Sequence, residues 1–126
     1  MIIGTGIDLC EVDRIEKAMA SPHGGRFRER VFTAGEIAYA ESKANRAERY
    51  AARFAAKEAG MKALGTGWQH GVSWHDLEVL NLASGRPTLR LYGKAAEIAE
   101  RLGTRNISLS ITHTTRQAMA LVILES

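Results

Sequence analysis

Apolar and polar positions along this chain repeat with two different periods, and the switches between them mark its elements. Ile2 to Leu9 is a short apolar run of strand length that carries one carboxylate, Asp8, near its end. Val12, Ile15 and Met19 recur at helical spacing, so residues 11–20 read as a short amphipathic helix, ended by Ser21-Pro-His-Gly-Gly25. Residues 26–32 form a second short, cation-rich helix. Thr33 and Glu36 then have the spacing of a capping box, and one long helix is expected from there to about Leu64. Gly60 lies inside it at a cost of about 1 kcal/mol relative to alanine, which points to close packing against another backbone.

Past the long helix the period shortens. Residues 77–82 and 88–92 read as strands joined by a turn at Ser84-Gly-Arg-Pro87, which together make a hairpin. Ala95, Ile98, Ala99 and Leu102 give another amphipathic helix, with Gly103 placed to cap it, expected to lie across the sheet. Ile107, Leu109 and Ile111 alternate with Ser108, Ser110 and Thr112, and residues 118–124 can return antiparallel. This order predicts an α+β fold in which a small antiparallel sheet packs against one long helix and shorter helices.

Composition changes this picture little. The 126 residues, 45% hydrophobic, suit a single domain over residues 1–126, and two prolines and no low-complexity tract leave no linker. No apolar run reaches the length of a membrane span and the start lacks a signal-peptide pattern, so a cytoplasmic protein with no membrane partner is expected. A single cysteine, Cys10, excludes an intramolecular disulfide and reads as a small buried side chain. Charge is more telling. The net value is only +3, but residues 43–62 hold six cations against two acids, which favours anionic partners. At 100° per residue Arg46, Arg49, Arg53 and Lys57 fall within a sector of roughly 80°, a basic stripe on the long helix.

The richest chemistry lies in residues 53–67. Glu58 offers a hard oxygen ligand, Arg53, Lys57 and Lys62 offer charge to phosphate oxygens, and Gly65 and Gly67 allow close backbone approach beyond the helix end. That set suits a magnesium-bound phosphate ester. The four-residue spacing of Glu58 and Lys62 equally suits an ordinary solvated salt bridge. Asp8 adds weight to the first reading, because an acid in an apolar strand is costly unless something binds it.

Asp8 with Glu11-Val-Asp-Arg14-Ile, the run Arg53-Phe-Ala-Ala-Lys-Glu58-Ala-x-x-Lys62-Ala-x-Gly-Thr-Gly67, and Ser108-Leu-Ser-Ile-Thr-His113-Thr together resemble the holo-acyl-carrier-protein synthase type of 4'-phosphopantetheinyl transferase. The resemblance covers nearly the whole chain, in order and at the family's spacing. It implies that fold, and transfer of the 4'-phosphopantetheine arm of coenzyme A to a serine of apo acyl carrier protein, releasing adenosine 3',5'-bisphosphate, in fatty acid biosynthesis. It implies Mg2+ held by Asp8 and Glu58, with coenzyme A as substrate. Glu58 becomes the candidate for receiving the serine proton, and Lys62 for stabilising the departing phosphate. Arg53, Lys62 and Gly65 would face coenzyme A phosphates, Arg86 and Pro87 its adenine end, and His113, with Ser110 and Thr114 beside it, its 3'-phosphate. Thr112 stands where the family usually has serine, and keeps the hydroxyl. Arg14, Arg26, Arg28 and Arg30 would form the basic surface that receives the acidic carrier. The family is commonly homotrimeric, with sites between subunits.

Two other classes compete. A small nucleic-acid-binding protein could use the basic stripe, but 6% aromatic content and modest charge provide few stacking platforms, so no nucleic-acid partner is expected. A non-catalytic module binding coenzyme A or a carrier protein would not need two acids beside phosphate. His70 and His75 lack a convergent third ligand and read as structural. Gly4-Thr-Gly6 lacks the following glycine and the βαβ setting of a dinucleotide loop.

Overall fold

In a computed structural model, which describes residues 1–66 and 70–126, the order of elements is β1 (Ile2–Glu11), α1 (Val12–Ala20), α2 (Gly24–Val31), α3 (Ala34–Glu41), α4 (Arg46–Leu64), β2 (Leu77–Asn81), β3 (Pro87–Leu91), α5 (Gly93–Arg101), β4 (Asn106–His113) and β5 (Gln117–Glu125). A 3-10 turn, Trp74–Asp76, leads into β2. The strands form two antiparallel sheets, a three-stranded one in the order β1-β5-β4 and the hairpin β2-β3. The architecture is α+β, with α4 as the central helix. Among the described residues no helix is long and apolar enough to cross a membrane.

The α4 helix meets the large sheet over small residues. Ala55, Ala56, Ala59 and Ala63 are buried on the helix, and Gly4 and Gly6 face it from β1. A Cβ at Gly6 would stand 1.9 Å from the Ala59 carbonyl oxygen, and one at Gly4 2.3 Å from that of Ala63. Only glycine permits so close an approach of strand and helix backbones. Period-two alternation then turns Gly4, Gly6, Asp8 and Cys10 of β1 toward α4, with Ala118, Ala120, Val122 and Leu124 of β5 paired beside them.

Several expectations need correction. The long helix predicted from Thr33 to Leu64 is two helices, interrupted at residues 42–45. The Thr33 capping box forms as expected, with both of its bonds present, and stabilises the start of α3 by about 1 kcal/mol. Eight residues later the Ser42 hydroxyl donates to the Tyr39 carbonyl at 2.6 Å, and Asn45 stands as the N-cap residue of α4. The serine hydroxyl offers the backbone a partner outside the helical ladder, whereas the Asn45 side chain makes no cap bond and accepts from Arg49 Nε. Gly60 packs against side chains, the Leu77 and Leu89 methyls of the hairpin, not another backbone. The α5 helix buries Ala95 and Ala99, with the 3-10 turn and α4 as its main neighbours, so it does not lie across the sheet.

The basic stripe is also not a surface. Lys57 is fully buried and Arg53 is 5% exposed. Lys57 donates to Glu36 Oε1 at 2.8 Å and to the Val31 carbonyl at 2.6 Å. Arg53 donates to Asn81 at 2.7 Å and stacks 3.8 Å from the centre of the Tyr39 ring. With half the stripe in the interior, no continuous basic face remains on α4 for a nucleic acid.

Candidate functional site

The close contact at Gly6 and Ala59 sets the geometry of the site. One strand step beyond Gly6 on the same face stands Asp8, and one helix step before Ala59 stands Glu58. Asp8 is mostly buried, its side chain 14% exposed, and Lys62 donates to its Oδ1 at 3.1 Å and to the Ile7 carbonyl at 3.0 Å. The expected Glu58–Lys62 pair along the helix is replaced by this bond from helix to strand. Glu58 is half-buried, and among the described residues its carboxylate has no hydrogen-bond or ion-pair partner.

Burial holds the Glu58 carboxyl above its ordinary range, the charge of Asp8 pushes it further the same way, and Lys62 and Arg14 pull it down. Glu58 therefore lies near enough to Asp8 to feel its charge, while Lys62 bonds Asp8 and not Glu58. A hard cation relieves such a pair, and magnesium takes one or two protein carboxylates with phosphate and water oxygens at its other positions. The residues present fit that ion. Arg14 lies at the same edge, its guanidinium 5.7 Å from the centre of the Phe54 ring, one turn before Glu58. Cys10 is buried beneath these groups, its thiol pushed up to about 11 by burial and by the neighbouring acids.

The other sequence-predicted residues are distributed more widely. His113 ends β4 facing α4, its Nδ1 3.0 Å from Glu48 Oε1. Thr114 closes the β4–β5 turn, its hydroxyl accepting from the amides of Arg116 and Gln117. Ser110 is three residues from His113, an odd step along a strand, so it faces the opposite side of the sheet. The expected neighbours Ser110 and His113 are thus not brought together. Ser110 instead shares a groove of about 260 Å³ with Ser108, Arg86 and Pro87. Arg53, expected at phosphate, is held in the interior by Tyr39 and Asn81 because burial of its stacked guanidinium leaves it no route to the surface. Gly65 is the C-cap of α4 at φ 73°, a left-handed conformation that favours glycine, and nothing lies within 4 Å of a Cβ there. Gly67 lies outside the described residues.

The four arginines do not form one patch. Arg26 and Arg30 line a groove of about 320 Å³ with Phe27 and His23. Arg28 turns away from them to Glu41 at 3.6 Å, in a larger groove of about 470 Å³ between α1 and the start of α4. Sequence reading missed Glu41 as a partner of Arg28 and Glu48 as a partner of His113. It also missed Glu36 as a partner of Lys57. The helical spacing of residues 41, 48 and 50 was visible, but partners such as Arg28 for Glu41 and His113 for Glu48 come from other elements. His75 has a structural contact, its Nε2 donating to the Glu29 carbonyl at 2.7 Å.

The chain is similar to known proteins in sequence and in fold. Residues 4–122 match the model of the 4'-phosphopantetheinyl transferase superfamily. A holo-[acyl-carrier-protein] synthase of Solibacter usitatus is 64% identical over 126 residues, covering all of both chains. The crystal structure of a holo-(acyl-carrier-protein) synthase from Bacillus anthracis in complex with CoA (3',5'-ADP) is 39% identical, with a TM-score of 0.80, covering 100% of this chain and 98% of that one. That of Helicobacter pylori holo-[acyl-carrier-protein] synthase in complex with coenzyme A is 29% identical, with a TM-score of 0.83, covering 96% and 99%.

Proposed function

Because this chain belongs to the 4'-phosphopantetheinyl transferase superfamily, we propose that its carboxylate pair serves holo-acyl-carrier-protein synthesis. The protein transfers the 4'-phosphopantetheine group of coenzyme A to a serine of apo acyl carrier protein. The observation that carries the site assignment is the Glu58 carboxylate near Asp8, without a hydrogen-bond or ion-pair partner among the described residues. Asp8 and Glu58 would hold Mg2+, which would neutralise charge on the coenzyme A pyrophosphate.

The reaction joins the serine oxygen to the phosphorus that bears pantetheine and breaks that phosphorus's bond to the bridging oxygen, which leaves with adenosine 3',5'-bisphosphate. Phosphoryl transfer of this kind depends mainly on positioning and charge. Glu58, held above the usual carboxylate range, accepts the serine proton directly or through one water. Lys62 has three N–H groups, two of which bond Asp8 and the Ile7 carbonyl, so one is free to reach the departing phosphate oxygen. Arg86, Pro87 and Ser110 of one subunit receive the adenine end of coenzyme A in their shared groove, and His113 with Thr114 of a neighbouring copy its 3'-phosphate, since within one chain the two sets face opposite sides of the sheet. Gly65 leaves room for the pyrophosphate past the end of α4. Arg14, Arg26, Arg28 and Arg30 attract the acidic carrier, raising its rate of encounter.

The working unit is a single domain over residues 1–126, assembled as a homotrimer with sites between subunits, acting in the cytoplasm in fatty acid biosynthesis. Support for self-association comes from the outer face of the large sheet. Ile7 and Leu9 are 56% and 52% exposed there, with Met119 and Leu121 paired across from them. So much apolar surface on one face favours a covering partner, and a second copy of the chain provides the same face.

Release of adenosine 3',5'-bisphosphate tests the reading. Coenzyme A and apo carrier together should release it, while a carrier whose acceptor serine is replaced by alanine should release none. Release that ignores the carrier serine would identify a hydrolase instead.

A further inference from the structure

The α2 helix has only eight residues, Gly24–Val31, and helices this short are marginal unless tertiary contacts hold them. Its last carbonyls lack intrahelical partners, as at any helix end. Two of them are taken by side chains from other parts of the fold. His75, in the turn before β2, donates from Nε2 to Glu29 at 2.7 Å, and Lys57 of α4 donates from Nζ to Val31 at 2.6 Å. The second tether is itself clamped. Glu36 accepts from Lys57 at 2.8 Å through Oε1, which also accepts from the Thr33 amide at 2.9 Å, while Oε2 accepts from the Val79 amide at 2.8 Å. Lys57 and Glu36 are both fully buried.

A buried ion pair adds little net stability compared with apolar residues of the same size, so its value must be sought in geometry. Here the ammonium sits at the negative end of α2 and at the N-terminal cap of α3, and is carried by the residue next to Glu58. The short helix that bears Arg26 and Arg30 is thereby fixed to the helix turn that bears the carboxylate. We propose that Lys57, braced by Glu36, and His75 are positioning residues that hold α2 at a set place relative to Glu58, so that a docked carrier presents its serine to the carboxylate pair. This rests on the reading of the α2 arginines as carrier contacts.

The test varies the carrier protein at saturating coenzyme A, well below each variant's Tm, and measures coenzyme A binding separately. His75→Ala is an exposed change that should fold. Lys57→Met with Glu36→Gln removes the buried charge while leaving an acceptor for one of the Thr33 and Val79 amides. The KM for carrier should rise several-fold in His75→Ala and roughly tenfold in the double variant, with coenzyme A affinity unchanged. His75→Gln, whose amide N–H reaches the same carbonyl, should restore most of the loss. A merely structural role would lower the active fraction and leave KM alone. A folded His75→Ala protein with the parent's KM for carrier overturns the proposal even if the double variant fails to fold. Arg26→Ala and Arg30→Ala in the parent should raise the same KM. If neither does, the docking reading itself fails, which is a separate outcome from an unchanged KM in His75→Ala alone.

Discussion

Lys62 reaches from α4 to β1 and donates to Asp8 at 3.1 Å, although Glu58 stands one turn before it on the same helix. The lysine thus holds one carboxylate while the other stays open. Lys62→Ala should lower kcat by roughly 100-fold and weaken coenzyme A binding by less than about fivefold, because the missing charge acts on the leaving phosphate. Steady-state kinetics with direct binding of coenzyme A checks this, and the reverse pattern would make Lys62 a ground-state binding residue.

Glu58 is held uncomfortably in the absence of a cation, by burial and by the charge of Asp8. Glu58→Gln should therefore melt no lower than the parent without magnesium, while lowering turnover by roughly 100-fold or more. Thermal melts in chelator, set beside turnover, test both halves. A variant that melted lower and turned over normally would remove Glu58 from the site.

Gly6→Ala places a methyl group on the Ala59 carbonyl oxygen. The sheet and α4 must then separate, at a cost of about 3 kcal/mol or more, and Asp8 moves away from Glu58 as they do. Urea unfolding should show the loss of stability, and the surviving folded protein should be less active per molecule.

Much of this fold was legible in the sequence because hydrophobic period and capping chemistry are local. The strands, the hairpin and the Thr33 cap lie close to where Ile2, Ser84-Gly-Arg-Pro87 and Thr33-x-x-Glu36 predict them. The break between α3 and α4 escaped because the alanines and charges around Ser42 and Asn45 continue a helical pattern. Arg53 and Lys57 read as a basic stripe open to phosphate because spacing tells which residues share a face, not what covers it. Their partners, Tyr39, Asn81 and Glu36, come from other elements. The opposite facing of Ser110 and His113 was legible, since an odd step on a strand fixes it. Asp8 and Glu58 were named from sequence, whereas the bond between Asp8 and Lys62 depends on the contact of Gly6 with Ala59.

Glu41 gives a pH signature separate from catalysis. A hydrogen bond from the Tyr50 hydroxyl at 2.7 Å, helped by Arg46 and Arg28, holds its carboxyl below the ordinary range. The folded value lies below the unfolded one, so its contribution is full above the unfolded value and fades as pH falls through the folded one. Glu41→Gln should cost within about 1 kcal/mol at neutral pH, as for partly exposed pairs, and the difference from the parent should vanish in acid. Melting both proteins from pH 7 to pH 3 checks the sign, and a gap that widened in acid would contradict it.

The most direct measurement is the mass of apo acyl carrier protein after incubation with this protein and coenzyme A, with and without magnesium, for the parent and for Asp8→Asn and Glu58→Gln. The expected result is a gain of one phosphopantetheine in the parent that requires magnesium and is nearly abolished in both variants. A gain of the same size in folded variants, or in the parent with magnesium chelated, would contradict the assignment of the Asp8–Glu58 pair.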